Sequence, residues 1–324
     1  MKLSVIIPIY NVEKYLKKAL LSVLQNDMQN KDFEVILIDD ESPDNSIESI
    51  KPFITSNCKI IFQKNKGLGG ARNTGIKNAL GKYLLFLDAD DIILPNTLTT
   101  IVDLAIKNSL DILEFAAKGI DENENEIYHI ENSTNGEIYE GVTYYNKFRY
   151  MNSACNKLYL RDFIVNNHLF FLEKIFIEDF EFNTRVLAKA KRVMATNFVV
   201  SNFLQTQNSI TRNSSKEKKE KMIADIIFVI DKTVEEQSKN QTNKENDDFF
   251  EERKSFLIAT LFYQLVKNKS SAKEFIALKK ELQSKDLFFV NHPIHDSNKN
   301  LFRRIILKNT WLYYCLRPFL NLKL

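Results

Sequence analysis

The sequence predicts an α/β fold, in which helices flank a mostly parallel β-sheet and an α-helical region follows. Over the first 115 residues, short apolar runs alternate with longer stretches of helical periodicity, which is typical of βαβ units. The runs are mainly apolar and do not alternate with polar residues, as expected for strands buried on both faces. Beyond residue 216, the pattern is that of successive helices.

The predicted elements of the sheet follow a regular order, and a helical pattern comes after each of the first four strands. The predicted strands are 3–9, 33–38, 59–62, 83–87 and 112–116. Right-handed crossovers bring the carboxyl ends of parallel strands to one edge of a sheet, where ligands bind in such folds. We therefore expect any functional site of this region at that edge.

Two domains are predicted, residues 1–215 and residues 216–324. After a polar stretch at 121–126, further helices and short strands complete the first domain; they are 142–150, 178–190, 192–195 and 199–204. A run of charged residues at 216–221 opens the second domain, which is predicted to be helical. Its predicted helices are 217–239, 247–267, 271–284 and 299–320.

Composition limits the class of protein. The 324 residues are 44% hydrophobic and 27% charged, with a net charge of +3, which fits a folded protein and not a chain built to bind polyanions. The three cysteines are widely separated, so they form neither a disulfide framework nor a metal motif. Because no apolar run reaches the roughly 18 to 20 residues of a membrane span and no secretory signal pattern is visible, we expect a cytoplasmic protein.

Acidic residues cluster where two predicted strands end. Asp39 and Asp40 follow the second strand, and Asp88-Ala89-Asp90-Asp91 follows the fourth. Carboxylates in such groups repel one another, so a cation or hydrogen-bond donors must offset their charge. Asp88 and Asp90 share a face of an extended segment and suit Mg²⁺ or Mn²⁺, which prefer oxygen ligands. The alternative for any one of these residues is a turn or a helix cap.

A glycine-rich segment, residues 65–75, lies between the two acidic clusters. Glycines between a strand and a helix allow the backbone to approach a phosphate closely. The spacing does not fit the dinucleotide-binding fingerprint, because Arg72 occupies the position of its third glycine, nor does it fit the P-loop. Arg72 can fork onto a carboxylate, a phosphate or a base carbonyl.

Four segments together resemble the signature of family 2 glycosyltransferases with the GT-A fold. They are Ser4 to Asn11, Ile38 to Ser42, Gly67 to Gly75, and Asp88 to Asp91. The likeness covers about residues 1–210. It implies a transferase that uses a nucleotide-sugar donor together with Mn²⁺ or Mg²⁺ and inverts the anomeric configuration.

The resemblance also implies which residues bind the donor. Asp39 would accept a hydrogen bond from the base, Asp88 would face the ribose or the metal, and Asp90 would bind the metal. The expected nucleotide contacts are Pro8, Tyr10, Asp39, Asp40, Arg72, Asp88 and Ala89. Many relatives have glycine where this chain has Glu41, which leaves the rim of the pocket undefined.

A catalytic base is expected at the start of a later helix. The segment Ile177 to Phe182 resembles the family's Glu-Asp pair, which implies that Asp179, or its neighbour Glu178, deprotonates the acceptor hydroxyl. Spacing alone favours the alternative that the two acids complement the helix dipole, and it is the resemblance that favours Asp179 as the base. Lys157 is a candidate contact for the acceptor or a phosphate, and the alternative is an ordinary surface lysine.

Two further features bear on the reaction. The Gln-x-x-Arg-Trp element of processive synthases is absent, which predicts transfer of one sugar per encounter. Residues 209–212 resemble a strand end that closes the donor site in some relatives.

Residues 299–324 combine basic side chains with many apolar and aromatic ones. This composition is typical of a helix lying on an anionic membrane, here the inner face of the cell membrane, where a lipid-linked glycan acceptor would make such contact useful. The alternatives are packing on the chain's own domain or against a second copy in a homo-oligomer. Nucleic acid is not an expected partner, because the basic residues are confined to this end and the predicted cleft is acidic.

The sequence therefore predicts a UDP-sugar-dependent, inverting, non-processive glycosyltransferase that acts on a glycan, glycolipid or glycoprotein. Two alternatives stay open. A sugar nucleotidyltransferase has a related fold, but its glycine-rich loop would follow the first strand directly, where this chain has Pro8 to Asn11. A binding or scaffold protein could keep the fold without activity, although the intact acidic residues argue against it.

Overall fold

The structure, a computed structural model, describes residues 1–148, 151–205, 215–268 and 270–309. The chain divides into two units, Met1–Asn213 and Ser214–Leu324. The functional division into a catalytic domain of residues 1–215 and a membrane-binding or oligomerising domain of residues 216–324 stays a prediction.

The described part of the first unit contains nine strands and seven helices. The strands are β1 (Leu3–Ile9), β2 (Phe33–Asp39), β3 (Cys58–Phe62), β4 (Tyr83–Phe86), β5 (Ile92–Ile93), β6 (Ile112–Ile120), β7 (Glu126–Ile130), β8 (Lys157–Leu160) and β9 (Val193–Leu204). The helices are α1 (Glu13–Leu24), α2 (Ser46–Ile50), α3 (Gly67–Asn78), α4 (Leu98–Lys107), α5 (Gly141–Lys147), α6 (Arg161–Asn166) and α7 (Glu178–Lys189).

These strands form one mixed sheet. Eight of them follow the order β3-β2-β1-β4-β8-β6-β9-β5, and β7 pairs with the carboxyl-terminal half of β6. The half that contains β1 to β4 is parallel, as predicted. β8 runs antiparallel to both β4 and β6. Its four residues are too few to give a periodic signal, so the sequence did not predict it.

Three of the parallel strands, β1, β2 and β4, are buried because their residues are mainly apolar on both faces. Every residue of β1 is buried, and Val5 and Ile7 belong to one core cluster with Leu16, Leu20 and Val23 of α1. The three residues of α1 recur at helical spacing and so form its inner face. Full burial of each such side chain contributes about 1.5 to 3 kcal/mol, which fixes the parallel half of the sheet.

Two boundary predictions differ from the structure. The runs 192–195 and 199–204 form one strand, β9, which pairs along β6 with register shifts near Ala116; such irregularities let a strand continue through polar residues. The helical pattern predicted after the second strand is reduced to α2 and one 3₁₀ turn, because Pro52 cannot donate the hydrogen bond that would continue the α-helix.

The second unit consists of helices in its described part. They are α8 (Lys216–Ser238), α9 (Lys244–Lys267), α10 (Ala272–Ser284) and α11 (Ser297–Phe302), with a π-helical turn (Arg303–Leu307) after α11. Each helix begins after a polar side chain that accepts a hydrogen bond from the first turn. These capping residues are Ser215, Asn243, Ser271 and Asp296.

The predicted helix at 299–320 is described only as far as residue 309. Phe302, Ile306 and Leu307 are buried, and the Phe302 ring lies 5.8 Å from the Tyr263 ring of α9. Packing within the unit therefore covers part of the apolar face. Within the described ranges, none of the helices combines the length and the apolar character that a membrane span requires.

Candidate functional site

The carboxyl ends of β2, β1 and β4 meet at one edge of the sheet. β1 lies between the other two, with Ile9 opposite Asp39 and Ile6 opposite Phe86. Asp39 therefore lies two strand spacings, about 10 Å, from the segment that follows β4 and begins near Asp88. The sheet thus brings the two predicted acidic clusters to the same edge.

Arg72, on α3, joins three carboxylates at this edge. Its side chain is 1% exposed, and its Nη2 donates to Asp88 Oδ1 over 2.8 Å. Its Nη1 donates to Asp179 Oδ1 over 2.5 Å and to Glu178 Oε1 over 3.2 Å. The guanidinium carbon lies 5.2 Å from the centre of the Phe171 ring. A planar, permanently charged fork can hold several carboxylates in fixed directions.

The shared Arg72 guanidinium does not fully offset the effect of burial on the pKa values of these acids. Burial raises the pKa of Glu178 to about 7, helped by the neighbouring Asp179 carboxylate and opposed by Arg72. Burial also raises the pKa of Asp179, again against the effect of Arg72. Three acids around one guanidinium leave an excess of negative charge, which a bound cation or an incoming proton can offset.

The start of α7 sets the positions of Glu178 and Asp179. Ile177, which precedes the helix, has a left-handed φ of 58°, a conformation that is strained for a β-branched residue. Asp179 Oδ2 accepts a hydrogen bond from Ala154 N over 2.8 Å. The Asp179 side chain is 23% exposed and that of Glu178 is 11% exposed, so Asp179 is the more accessible of the two acids.

Asp88, Asp90 and Asp91 form the acidic group after β4. Burial, with a contribution from the Asp88 carboxylate, raises the pKa of Asp90 to about 6. Asp91 Oδ1 accepts a hydrogen bond from Leu204 N over 2.8 Å. This bond holds the carboxyl-terminal end of β9 next to the acidic group.

The oxygen donors of Asp88 and Asp90 fit two positions in the shell of Mn²⁺ or Mg²⁺. In the described ranges, no three Asp, Glu, His or Cys side chains are grouped in a way that could hold a metal ion. A metal site at Asp88 and Asp90 therefore stays a prediction.

A cavity of about 360 Å³ opens beside Asp39, and its lining includes Glu41, Phe62, Gln63 and Lys64. Phe62 is directly opposite Asp39 in the pairing of β2 with β3 and is 68% exposed. The cavity therefore offers a carboxylate and an aromatic face side by side, which a planar ring with N–H groups would match. Phe62 is missing from the predicted contacts because only the strand register brings it beside Asp39.

The other predicted nucleotide contacts lie at the same edge but differ in exposure. Tyr10 is exposed after β1, whereas Pro8 and Ala89 are buried. Asp40 is buried too, and its Oδ1 accepts a hydrogen bond from Lys66 N over 2.8 Å. The Asp40 carboxylate thus holds the start of α3, and its contact with a nucleoside stays a prediction.

The glycine-rich segment forms the first turns of α3. This helix begins at Gly67, whose φ is 74°. A Cβ atom on Gly69 would lie 2.4 Å from Leu172 O, which is too close for any residue but glycine. The close approach that Gly69 permits is therefore to the chain's own backbone, and this packing places Arg72 among the acids.

Lys157 is 0% exposed, so the alternative of an ordinary surface lysine is wrong. Its Nζ donates to backbone carbonyls of the loop before β8, and a contact with the acceptor or a phosphate stays a prediction. The segment 209–212, which was expected to close the donor site, lies outside the described residues.

The model of the family described as "Glycosyl transferase family 2" matches residues 4–171, half of the chain. The chain belongs to this family. The match extends from β1 past α6 and includes Asp39, Arg72 and the acidic group after β4. The predicted family and the predicted class of enzyme, a glycosyltransferase, are therefore confirmed.

Two relatives illustrate the similarity. Uncharacterized glycosyltransferase EpsJ of Bacillus subtilis strain 168 is 32% identical over 216 residues, 64% of this chain and 62% of EpsJ. UDP-Glc:alpha-D-GlcNAc-diphosphoundecaprenol beta-1,3-glucosyltransferase WfgD of Escherichia coli is 30% identical over 222 residues, 67% of this chain and 82% of WfgD. The chain thus spans less than two thirds of the length of EpsJ.

Solved structures confirm the predicted GT-A fold. The crystal structure of residues 1–349 of S. aureus TarS in complex with UDP-GlcNAc matches with a TM-score of 0.64 and 18% identity, over 96% of this chain and 92% of that chain. The shared features are the mixed sheet with flanking helices and the helical C-terminal region.

We expect Arg72→Lys to destabilise this glycosyltransferase by about 2 to 3 kcal/mol, because one ammonium cannot keep Asp88 and Asp179 paired together. Denaturant unfolding measures the free energy of unfolding. Arg161→Lys is the matched control, since Arg161 pairs with the exposed Asp162, and it should cost about 1 kcal/mol or less. Equal losses in the two variants would contradict the organising role of Arg72.

Proposed function

We propose that this glycosyltransferase moves a hexose or an N-acetylhexosamine from a UDP-sugar to a glycan or lipid-linked glycan, one sugar at a time, with inversion. The observation that carries the proposal is the Arg72 cluster, which joins Asp88 at the donor edge to Asp179 at the start of α7. One guanidinium thus links a candidate donor contact to a candidate base. The name of WfgD includes a UDP-glucose donor, and the TarS crystals contain UDP-GlcNAc, which supports this donor class.

The uracil of the donor would lie in the cavity beside Asp39. The Asp39 carboxylate can accept the imide N–H of uracil, and the exposed rings of Phe62 and Tyr10 can contact its faces. Asp88 lies two strands away, so the ribose and diphosphate would extend across the carboxyl end of β1. This placement uses both acidic clusters for one ligand.

Asp88 and Asp90 would hold Mn²⁺ or Mg²⁺, which when bound neutralises the charge that develops on the departing diphosphate. Support comes from the raised pKa of Asp90, which has its origin in burial and in the Asp88 carboxylate. These two acids repel each other in the protein alone, and a divalent cation between them would remove that repulsion.

Asp179 would act as the base. As the acceptor oxygen bonds to the anomeric carbon, its hydroxyl proton passes to Asp179 and the bond from that carbon to the diphosphate oxygen breaks, which releases UDP. Attack opposite the diphosphate inverts the anomeric configuration. Arg72 and Ala154 N–H each hold one Asp179 oxygen, so the carboxylate keeps its direction. Glu178 is the second candidate, because a pKa of about 7 suits a base at neutral pH.

The acceptor would lie near a membrane surface. Leu301 and Ile305 are exposed, and the basic side chains of Arg304 and Lys308 are exposed beside them. This combination supports contact of the segment 299–324 with anionic lipid at the inner face of the cell membrane, although residues 310–324 lie outside the described residues. A homo-oligomer formed through the same segment is the alternative partner.

Donor binding separates the roles of Asp39 and Asp90. We expect Asp39→Asn to weaken UDP binding by about tenfold, a loss of about 1.4 kcal/mol, because a charged acceptor of the imide N–H is replaced by a neutral one. Its preference for UDP over CDP should shrink, since the asparagine amide can donate to N3 of cytosine. Asp90→Ala should instead remove the Mn²⁺ dependence of UDP affinity.

Titration calorimetry with UDP or CDP, with and without Mn²⁺, measures both effects. Lys18→Ala, an exposed change on α1 away from the edge, is the control. Wild-type UDP affinity in Asp39→Asn would remove the base contact from the proposal. Unchanged Mn²⁺ dependence in Asp90→Ala would remove the metal site.

The reaction is tested by UDP release from a panel of UDP-hexoses and UDP-N-acetylhexosamines with Mn²⁺ and a lipid-linked glycan acceptor. We expect release with at least one donor, and we expect Asp179→Asn to lose about 100-fold or more in kcat with unchanged UDP affinity. Glu178→Gln should lose less, about tenfold, because it keeps a neutral partner for Arg72.

Two outcomes would contradict these assignments. A fully active Asp179→Asn protein beside an inactive Glu178→Gln protein would transfer the role of base to Glu178. Absence of UDP release with every donor, together with absence of UDP binding, would argue against the proposed donor class.

Membrane contact is tested by sedimentation with vesicles that contain anionic lipid. We expect the full chain to sediment with these vesicles and Leu301→Glu/Ile305→Glu to lose most of the binding, because two apolar contacts become charged. Lys273→Glu, an exposed change at the start of α10, is the charge-matched control. Equal sedimentation of wild type and the double variant, with a change of oligomeric state in the double variant, would favour the subunit interface.

A further inference from the structure

The loop that precedes β8, residues 151–155 (the 151–155 loop), reaches the functional edge of the sheet. β8 is antiparallel to β4, so its amino-terminal end lies beside the carboxyl end of β4, where the acidic group begins. The loop supplies the Ala154 N–H that donates to Asp179 Oδ2 over 2.8 Å. It also carries Cys155, whose Sγ lies 3.6 Å from Arg72 Nη2.

The Lys157 side chain donates hydrogen bonds to two backbone carbonyls of this loop. Its Nζ donates to Met151 O over 2.8 Å and to Ser153 O over 2.7 Å. Between these two carbonyls, Asn152 O accepts a hydrogen bond from Asn183 Nδ2 of α7 over 3.3 Å. Three successive carbonyls of the 151–155 loop are therefore bound by side chains, which fixes the direction of the Ala154 N–H that follows them.

The ammonium of Lys157 is itself fixed by neighbours in the sheet. Asn156 Oδ1 accepts a hydrogen bond from Nζ over 2.6 Å, and Glu114 Oε2 lies 3.6 Å from Nζ. Glu114 is directly opposite Lys157 in the pairing of β6 with β8. Glu114 Oε1 in turn accepts a hydrogen bond from Asn132 Nδ2 over 2.8 Å.

Stability alone does not account for a charged pair at this depth. Burial lowers the pKa of Lys157 and raises that of Glu114, because the buried site disfavours the charged form of each side chain. A well-packed apolar pair would serve the fold at least as well. An apolar pair could not, however, donate hydrogen bonds to Met151 O and Ser153 O.

We propose that Lys157 is a positioning residue for the catalytic base, which it serves through the 151–155 loop. The Lys157 Nζ binds the loop carbonyls, with Glu114 as its charge partner, and the loop presents the Ala154 N–H to Asp179. This inference rests on the proposed role of Asp179 as the base. It gives Lys157 a role that needs no contact with the donor or the acceptor.

The test variant is Glu114→Gln/Lys157→Met, which removes both charges and leaves no unpaired ion in the core. Glu114→Gln alone is the matched control, because it keeps the Lys157 ammonium and therefore the donors to the two loop carbonyls. The measurements are UDP affinity with Mn²⁺, the KM for the best UDP-sugar, kcat for UDP release, its dependence on pH, and the melting temperature.

We expect the double variant to keep UDP affinity and the KM for the UDP-sugar within about twofold, and to lose about 30-fold in kcat. The Ala154 N–H lowers the pKa of Asp179, so its misplacement raises that pKa and moves the acid limb of kcat upward by about one pH unit. The Lys157 charge also lowers the pKa of Asp179, so its loss moves the limb in the same direction, whereas Arg72, Asp88 and Glu178 are unchanged. Glu114→Gln should keep kcat within about threefold.

Two results would overturn the inference. One is wild-type kcat and an unmoved acid limb in the folded double variant. The other is an equal loss of UDP affinity and kcat, which would place Lys157 at the donor. Glu114→Gln/Lys157→Gln is the second variant in case the first does not fold: it leaves no unpaired ion, keeps a side-chain amide that can donate to the loop, and should show a smaller loss, about fivefold, in the same direction. Wild-type behaviour of this second variant, when folded, would equally contradict the positioning role.

The comparison with Asp179→Asn separates this inference from the proposed function. If Asp179→Asn is inactive and the double variant is fully active, Asp179 keeps its role and the Lys157 inference alone fails. If Asp179→Asn is fully active, the base assignment fails, whatever the double variant does.

Discussion

A single guanidinium, that of Arg72, is buried among three carboxylates that come from two distant parts of the chain, Asp88 and the pair Glu178 and Asp179. A buried guanidinium needs carboxylate partners, and three carboxylates at one sheet edge need a cation. Burial of Arg72 and burial of the acids are therefore each stable only because of the other. The close packing of α3 at Gly69, the left-handed Ile177 before α7 and the segment after β4 all meet at this cluster. The rest of the site is arranged around it.

Two halves of the sheet contribute different parts of the site. The parallel half presents Asp39 and the acidic group after β4 on either side of β1, and the cavity beside Asp39 extends this edge toward β3. The antiparallel strand β8 brings the 151–155 loop to the same edge from the opposite chain direction. A donor would therefore be bound mainly by parallel strand ends, whereas the proposed base is held by Arg72 of α3 and by the Ala154 N–H from the other half.

The residues that sequence reasoning found and those that it missed differ in a physical way. Asp39, Asp88 and Asp179 stand directly after apolar strands or at a helix start, so local pattern and family resemblance both indicate them. Nothing in the sequence around Phe62 indicates a role at the site; only the strand register shows that it lies opposite Asp39. Lys157 has the sequence appearance of a surface residue, yet its pairing with Glu114 allows it to be fully buried.

By itself, the sequence determined the parallel strands, the helices between them and the acidic groups at their ends, because apolar runs and strand termini are local features. It also determined the family, through four segments in a fixed order. Only the tertiary structure decided that Arg72 pairs with Asp88 and Asp179, the second of which is 107 positions away. The physical reason is that a buried charge is stable only beside a partner of opposite charge. An arginine and an aspartate can therefore be buried together only when the complete fold brings them into contact.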